Sequence, residues 1–501
     1  ISIGDLLRRS STVAHSIVAM GLPVGSAIAI DMPMTAESVE IYLGIVLAGS
    51  VVVSIADSFS PQEIATRLEI SQTAAIFTQD YIIRGDKRIP LYSRVKEATD
   101  CIAVVLPAQK ELAIELMGDD LSWEEFLKKG HSGNFKPFLS KASNTTNILF
   151  SSGTTGTPKA IPWTQLTPIK AAADGWAHHD IHEGDVVAWP TNLGWMMGPW
   201  LIYASLLNGA AIALFEGSPL GADFTNFVEK ANVTMLGVVP SIVRSWRANG
   251  ATEGVNWSRI RVFSSTGEAS NPVEMHWLMS RAKYSPVIEY CGGTEIGGGY
   301  ITGSVLQPQA PATFSTPAIG TGIYLLDEHG APSQSGEVAL CAPMLGSSER
   351  LINADHHLIY FSGMAKGPNG ETLRRHGDQI STLGGGYFRA MGRVDDTMNL
   401  GGIKVSSAEL ERACGSVKGI KELAAVAVSP KDGGPSELVI AAVLNRDSKL
   451  DAASLRGLFQ NEIRARLNPL FKVHKVVLMS ALPRTASNKV MRRLIRGGLS
   501  K

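Results

Sequence analysis

Helix-like stretches such as Ala36 to Ala48 and Phe224 to Ala231 alternate with short apolar runs at Asp185 to Trp189, Ala210 to Phe215, Met235 to Val239, Ile260 to Phe263 and Val287 to Tyr290. A run that is apolar along its length and separated from the next by a helix reads as a strand covered on both faces. The pattern therefore predicts an α/β chain with doubly wound sheets. At about 100 to 200 residues per domain, the 501 residues divide into several folded units. Hydrophobic residues make up 45% and charged residues 18% of the chain, which excludes a disordered polymer. The longest uncharged apolar stretch, Ile41 to Ala56, has 16 residues against the ~20 that cross a bilayer, and is read as a buried helix running into a buried strand. Lys plus Arg and Asp plus Glu both number 46, so no overall bias draws the molecule to nucleic acid or anionic lipid. Cys101, Cys291, Cys341 and Cys414 are scattered without paired spacing, which points to a reducing compartment rather than a disulfide framework.

The pattern changes late in the chain. Gly322 to Leu326, a turn at Asp327-Glu328-His329-Gly330 and Gly336 to Cys341 read as an antiparallel hairpin or small barrel. The tail has its own α+β pattern, with strands at Leu423 to Val428 and Glu437 to Val443 and a helix from Ala452 to Leu467. From Asp396 onward there are 18 basic against 9 acidic residues, a cationic unit on an acidic body, suited to facing a negatively charged ligand. The expected division is a large domain over 1–394, its N-terminus truncated because the chain opens on Ile1, and a smaller domain over 395–501. The final Leu499-Ser500-Lys501 hints at a peroxisomal tail that lacks its last leucine.

The strongest local signal follows the apolar Asn147 to Phe150: Ser151-Ser152-Gly153-Thr154-Thr155-Gly156-Thr157-Pro158-Lys159. Two glycines permit a tight backbone, the hydroxyls supply donors and the lysine supplies charge, a combination that suits a polyphosphate. A Walker loop counted from Gly153 needs glycine at 158 and Ser or Thr at 160; Pro158 and Ala160 stand there, which argues against a P-loop kinase or ATPase.

This loop resembles the signature of the adenylate-forming superfamily of acyl-CoA synthetases, luciferases and peptide-synthetase adenylation domains, with Ala160 in place of the usual last glycine. Further motifs follow in that family's order. Gly267-Glu268 is similar to the segment that lies against adenine, and Tyr290-Cys291-Gly292-Gly293-Thr294-Glu295 to the aromatic-Gly-x-Thr-Glu motif. The resemblance implies that Glu295 holds magnesium and Thr294 contacts phosphate, as a hard cation needs. Cys291 stands where relatives stack an aromatic on adenine, with Tyr290 one position early. Asp378, after His376-Gly377, matches the aspartate that accepts both ribose hydroxyls, and Arg393 the arginine near ribose and phosphate. Asp395 matches the hinge. Gly401, Gly402 and Lys404 match the segment that lines the coenzyme A tunnel, where a side chain would block the thiol. Lys489 in Pro483-Arg484-Thr485-Ala486-Ser487-Asn488-Lys489 matches the catalytic lysine, a cation for the charge that builds on the α-phosphate.

Gly194-Trp195-Met196-Met197-Gly198-Pro199-Trp200 resembles the acetyl-CoA synthetase branch, and several motifs are most similar to plant peroxisomal acyl-activating enzymes. Acetate-specific relatives close the acyl pocket with a tryptophan where this chain has Gly292, followed by Gly293. With Trp195 as a further pocket candidate, the resemblance implies an acid bulkier than acetate. The implied activity is an acid–CoA ligase using ATP, magnesium and coenzyme A on a small carboxylic acid, peroxisomal or otherwise cytoplasmic. A non-catalytic nucleotide- or acyl-binding homologue, and an adenylation domain loading a carrier protein, are the alternatives. His178, His179, His182, His356 and His357 lack metal-ligand spacing and are expected to be solvated.

Overall fold

The computed structural model describes residues 1–501 except 86, 152–156, 395–396, 401–402, 429–436, 468–470, 485–489 and 500–501. The chain forms two compact units, one of Ile1–Gly322 with Ala342–Gly363 and the other of Ile323–Cys341 with Met364–Lys501. The expected small β-region thus shares a unit with the tail. The hinge expected at Asp395 lies outside the described residues.

In the first unit, a seven-stranded sheet runs in the spatial order Leu121–Ser122, Ile102–Leu106, Ala75–Gln79, Ala27–Asp31, Val51–Ile55, Thr145–Ser151 and Lys159–Thr164. It is parallel except for the final pair. A five-stranded parallel sheet follows in the order Ala211–Ala213, Val186–Ala188, Met235–Val238, Val262–Ser265 and Val287–Glu289. The central strands of both are buried along their length, as helices on both faces require. The stretch from Ile41 to Ala56 is the end of helix Ala36–Leu47 followed by strand Val51–Ile55. Several helices start on a reciprocal cap, among them Thr35 with Ser38 and Ser60 with Glu63, each cap contributing about 1 kcal/mol. At the end of the second sheet the chain turns into a short antiparallel hairpin, Cys291–Gly293 against Gly298–Thr302.

The second unit contains a four-stranded sheet of Ile323–Leu326, Ser335–Ala342, Thr372–Gly384 and Tyr387–Arg393. A three-stranded sheet, Ile420–Val428, Glu437–Leu444 and Val473–Leu478, packs with helices Ser407–Cys414 and Ala452–Arg466 around a core that includes Leu410, Ile440, Leu455 and Phe459. Among the described residues no helix is long and apolar enough to cross a membrane.

Candidate active site

The strands Thr145–Ser151 and Lys159–Thr164 pair so that Ser151 stands opposite Lys159 and Phe150 opposite Ala160. Both ends of the hydroxyl- and glycine-rich segment are thereby pinned. Ser152, Gly153, Thr154, Thr155 and Gly156 lie outside the described residues, and Thr157 is exposed. Ala160 is fully buried in the core beside Ile148 and Phe150, so the methyl that distinguishes it from glycine sits in apolar packing. Asn353 fastens the far end of the segment: Ala160 N–H donates to its Oδ1 at 2.9 Å and its Nδ2 donates to the Pro158 carbonyl at 2.9 Å.

Onto these pinned ends comes the motif hairpin. Glu295 Oε1 accepts from the Ser151 hydroxyl at 3.4 Å and from the Tyr360 hydroxyl at 3.1 Å, and lies 3.7 Å from Lys159 Nζ. Lys159 Nζ in turn donates to Tyr360 Oη at 3.3 Å and sits 5.2 Å from its ring centroid. The backbone is held as tightly: Trp163 Nε1 donates to the Thr294 carbonyl at 2.8 Å, and Ser348 N–H to the Glu295 carbonyl at 2.8 Å. A carboxylate, an ammonium and two hydroxyls converge where a strand end meets a loop, which is where α/β sheets bind ligands. The ammonium and hydroxyls suit phosphate oxygens and the carboxylate suits a hard cation. No group of three or more His, Cys, Asp or Glu side chains is gathered for a metal among the described residues. One carboxylate beside an ammonium and hydroxyls would fit a hard cation that takes its other ligands from phosphate oxygens.

The neighbouring motifs divide between lining and support. Gly267 is exposed at φ +88°, a conformation that favours glycine. The Glu268 carboxylate accepts from Ser241 N–H at 3.1 Å, at the first turn of helix Pro240–Asn249, where the unpaired amides and helix dipole favour an anion. Tyr290 is buried; its hydroxyl donates to Asp174 at 2.6 Å and its ring packs against His179 and Trp200. Burial holds its hydroxyl well above the ordinary tyrosine range. A ring so enclosed has no face to offer a purine. Cys291 is only half-buried, with Sγ 3.3 Å from Tyr300 Oη. At Gly292, a Cβ would fall on the Gly298 carbonyl, so close strand approach excludes any side chain there. Trp195 is half-buried with its edge toward Phe59 at 5.5 Å, and Gly194 is pressed against the backbone of Ala56.

Two histidines expected in solvent are core residues. His178 is bonded to the Gly303 carbonyl and the Ile319 amide, and His179 to the Asp174 carbonyl and the Ser264 hydroxyl. Both are buried, and burial pushes His179 down to about 4. Helix pattern decides this: they end helix Thr167–His179 on its inward face. His182 and His357 are exposed and His356 half-buried.

In the second unit, Asp378 stands opposite Arg393 across an antiparallel ladder. His376 Nε2 lies 3.2 Å from Asp378 Oδ2, so the imidazole contacts the carboxylate that the resemblance matches to ribose. Gly401, Gly402 and Lys489 lie outside the described residues. The segment containing Lys489 runs between Arg484 and Val490, which form an isolated antiparallel bridge, and Arg484 also pairs with Glu422 at 2.8 Å. Arg492 grips Glu411 through both carboxylate oxygens at 2.8 and 2.9 Å.

Residues 1–345 match the family model described as AMP-binding enzyme. The chain belongs to the AMP-binding enzyme family. Within it, this AMP-binding enzyme falls in the acetyl-CoA-synthetase-like branch with the plant acyl-activating enzymes. It is 57% identical over 97% of its length to an Arabidopsis thaliana protein named probable acyl-activating enzyme 17, peroxisomal, covering 69% of that relative. It is 55% identical over 99% of its length to the hexanoyl-CoA synthase of Cannabis sativa, covering 70% of it. Acetoacetyl-CoA synthetase from Streptomyces lividans superposes with a TM-score of 0.88 at 24% identity, covering 99% of this chain and 77% of the other, a likeness of fold. Sequence reasoning missed Tyr360 in this AMP-binding enzyme, because a tyrosine in the short helix His356–Tyr360 carries no local signal. Only the 201-residue separation closed by its bond to Lys159 reveals it.

Proposed function

We propose that this chain, an AMP-forming acid–CoA ligase that uses ATP and coenzyme A, activates a monocarboxylic acid longer than acetate at the Ser151, Lys159, Glu295 and Tyr360 constellation. The convergence of those four side chains is the observation that carries the assignment. The substrate carboxylate attacks the α-phosphate of ATP and pyrophosphate departs, leaving an acyl-adenylate. The thiol of coenzyme A then attacks the acyl carbon and AMP departs. Activation is needed because a carboxylate is a poor electrophile and AMP a far better leaving group than oxide. Ser151 to Lys159 cradle the phosphates, Thr294 contacts them, and Glu295 holds magnesium, which when bound neutralises phosphate charge. Gly267 and Glu268 border the adenine with Cys291. Asp378 accepts the ribose hydroxyls, with Arg393 nearby. Lys489 is carried by the tail to the developing charge of the first step. Rotation about Asp395 then exchanges it for Gly401, Gly402 and Lys404 in the second.

The acid is placed beside Gly292, Gly293 and Trp195. Support for a chain longer than acetate comes from Gly292, where the backbone leaves no position for a pocket-closing indole, and from a relative named for hexanoyl-CoA. Peroxisomal residence and a role in fatty-acid metabolism are proposed on the names of the plant relatives. AMP release with coenzyme A, assayed over acids from C2 to long-chain and aryl-alkanoic, tests the assignment. Highest kcat/KM on a medium-chain acid is expected; a preference for acetate overturns the substrate class. Absence of acid-dependent ATP–pyrophosphate exchange across the panel overturns the site.

A further inference from the structure

Helix Thr167–His179 is built inside out. Thr167, Lys170, Asp174 and His178 fall on one face by their spacing and all are buried, while Ile169 is 52% and Trp176 57% exposed. Burial of apolar surface does not produce such a pattern, and a local rule broken this openly marks a functional or strained place. Nor does stability account for it, because a buried ion pair adds little over well-packed apolar residues of the same size.

What the inward face touches is the motif hairpin and its surroundings. Lys170 Nζ donates to Asp174 Oδ1 at 2.7 Å and to the Ile319 carbonyl at 3.3 Å. Asp174 Oδ2 accepts from Tyr290 Oη at 2.6 Å and from Gly299 N–H at 3.0 Å, one donor just before the first strand and one within the second. Thr167 Oγ1 donates to the Gly346 carbonyl at 2.9 Å. Glycines make room for these side chains: a Cβ at Gly297 or Gly298 of the hairpin, or at Gly346 beyond it, would strike Thr167, Asp174 or Lys170 respectively, and one at Gly299 would strike Tyr290. Thr294 and Glu295 lie in the turn between the two strands so held.

We propose that Asp174, neutralised by Lys170 and joined by Tyr290, is a positioning residue that sets where the Thr294–Glu295 turn stands, and thereby where the Glu295 carboxylate meets the magnesium–triphosphate. The inference rests on the assignment of Glu295 to the metal. The test compares ATP–pyrophosphate exchange at varied magnesium, the KM of the acid, thermal melting and amide hydrogen exchange over residues 291–299. The variants are Lys170→Met with Asp174→Leu, Tyr290→Phe alone, and Glu295→Gln. The paired variant, which leaves no unpaired charge, should melt close to the parent. Its half-saturating magnesium should rise and its exchange rate fall, on the order of 10- to 100-fold for a displaced ligand, with the acid's KM unchanged. Tyr290→Phe should move the same quantities less, and amides 291–299 should exchange faster in both. Parental magnesium dependence together with parental protection overturns the inference. Should the paired variant not fold, Tyr290→Phe decides by the same two readings. If Glu295→Gln leaves magnesium dependence untouched, the metal assignment has failed. Hydrogen exchange over 291–299 then decides the positioning role by itself: faster exchange supports it and unchanged exchange overturns it.

Discussion

The two compact units hold their functional residues by different means. In the first, Glu295 is fixed by partners 144 and 65 residues away in sequence, and Lys159 by one 201 residues away. In the second, Asp378 is set across a single hairpin from Arg393 and touches His376 beside it, while the segment with Lys489 is bounded by the bridge of Arg484 to Val490. Long-range assembly makes the first set of contacts depend on segments far apart in the chain. Local assembly keeps the second set within neighbouring strands, which is what the proposed movement of the tail would need.

The largest effect that could break this contrast is in the second unit. Lys489→Ala should lower acid-dependent ATP–pyrophosphate exchange by about 10²- to 10³-fold, as for loss of a group that stabilises developing charge. Thioester formation from preformed acyl-adenylate should be nearly intact, and equal loss in both half-reactions, measured by single turnover, would refute the division of labour. In the first unit, Gly292→Trp should not create an acetate enzyme. Because the Gly298 carbonyl occupies the Cβ position, the hairpin must shift at about 1–3 kcal/mol. Activity should fall on every acid in the panel, and a clean switch to acetate would show that the strands yield.

A smaller effect reads the first unit through protons. His179 is held neutral by burial, down to about 4, against about 6.5 unfolded. The unfolded chain therefore binds the extra proton, and the contribution is complete above pH 6.5 and lost as pH falls toward 4. It amounts to at most about 3 kcal/mol. Glu289, pushed up to about 8 by burial, works in the opposite sense, its contribution fading as pH rises from about 4.5 to 8. The melting difference between the parent and His179→Gln cancels the glutamate and should shrink between pH 6.5 and 5; a constant difference would mean that folding leaves the imidazole's proton affinity unchanged, and a difference that grows would mean that the fold favours its charged form. The smallest effect expected is at Tyr360→Phe, which removes one hydroxyl shared by Lys159 and Glu295. About 0.5–1.5 kcal/mol corresponds to a two- to tenfold rise in the KM of ATP with the acid's KM unchanged.

Legibility in the sequence followed the same divide. The strand-and-helix alternation announced the five-stranded parallel sheet and, of the seven-stranded one, Val51–Ile55; the strands at 423–428 and 437–443 stand within Ile420–Val428 and Glu437–Leu444, because period and turn chemistry are local properties. Ser151, Lys159 and Glu295 were legible as motif residues. Their meeting point was not, since it depends on Trp163 and Ser348 holding the 294–295 backbone from elsewhere in the chain. Tyr290 illustrates the limit: its neighbour Cys291 is half-buried in strand Cys291–Gly293, while one residue earlier the side chain enters the core and bonds Asp174. A one-residue difference changes the face a side chain presents; the motif register places Tyr290 one position early, and the structure shows what that offset does to its ring. His178 and His179 failed for the complementary reason, as polar residues on the inward side of a helix that hydropathy alone would turn outward.

That reversed helix bears on how the protein can be engineered. A stabilisation campaign guided by hydropathy would paint Lys170 and Asp174 apolar and leave Ile169 and Trp176 for solubility. The outer substitutions touch little and should be tolerated freely. The inner ones would keep a protein that folds, purifies and melts well while the Thr294–Glu295 turn loses its aim, so screens for thermal tolerance here need an assay of turnover beside them.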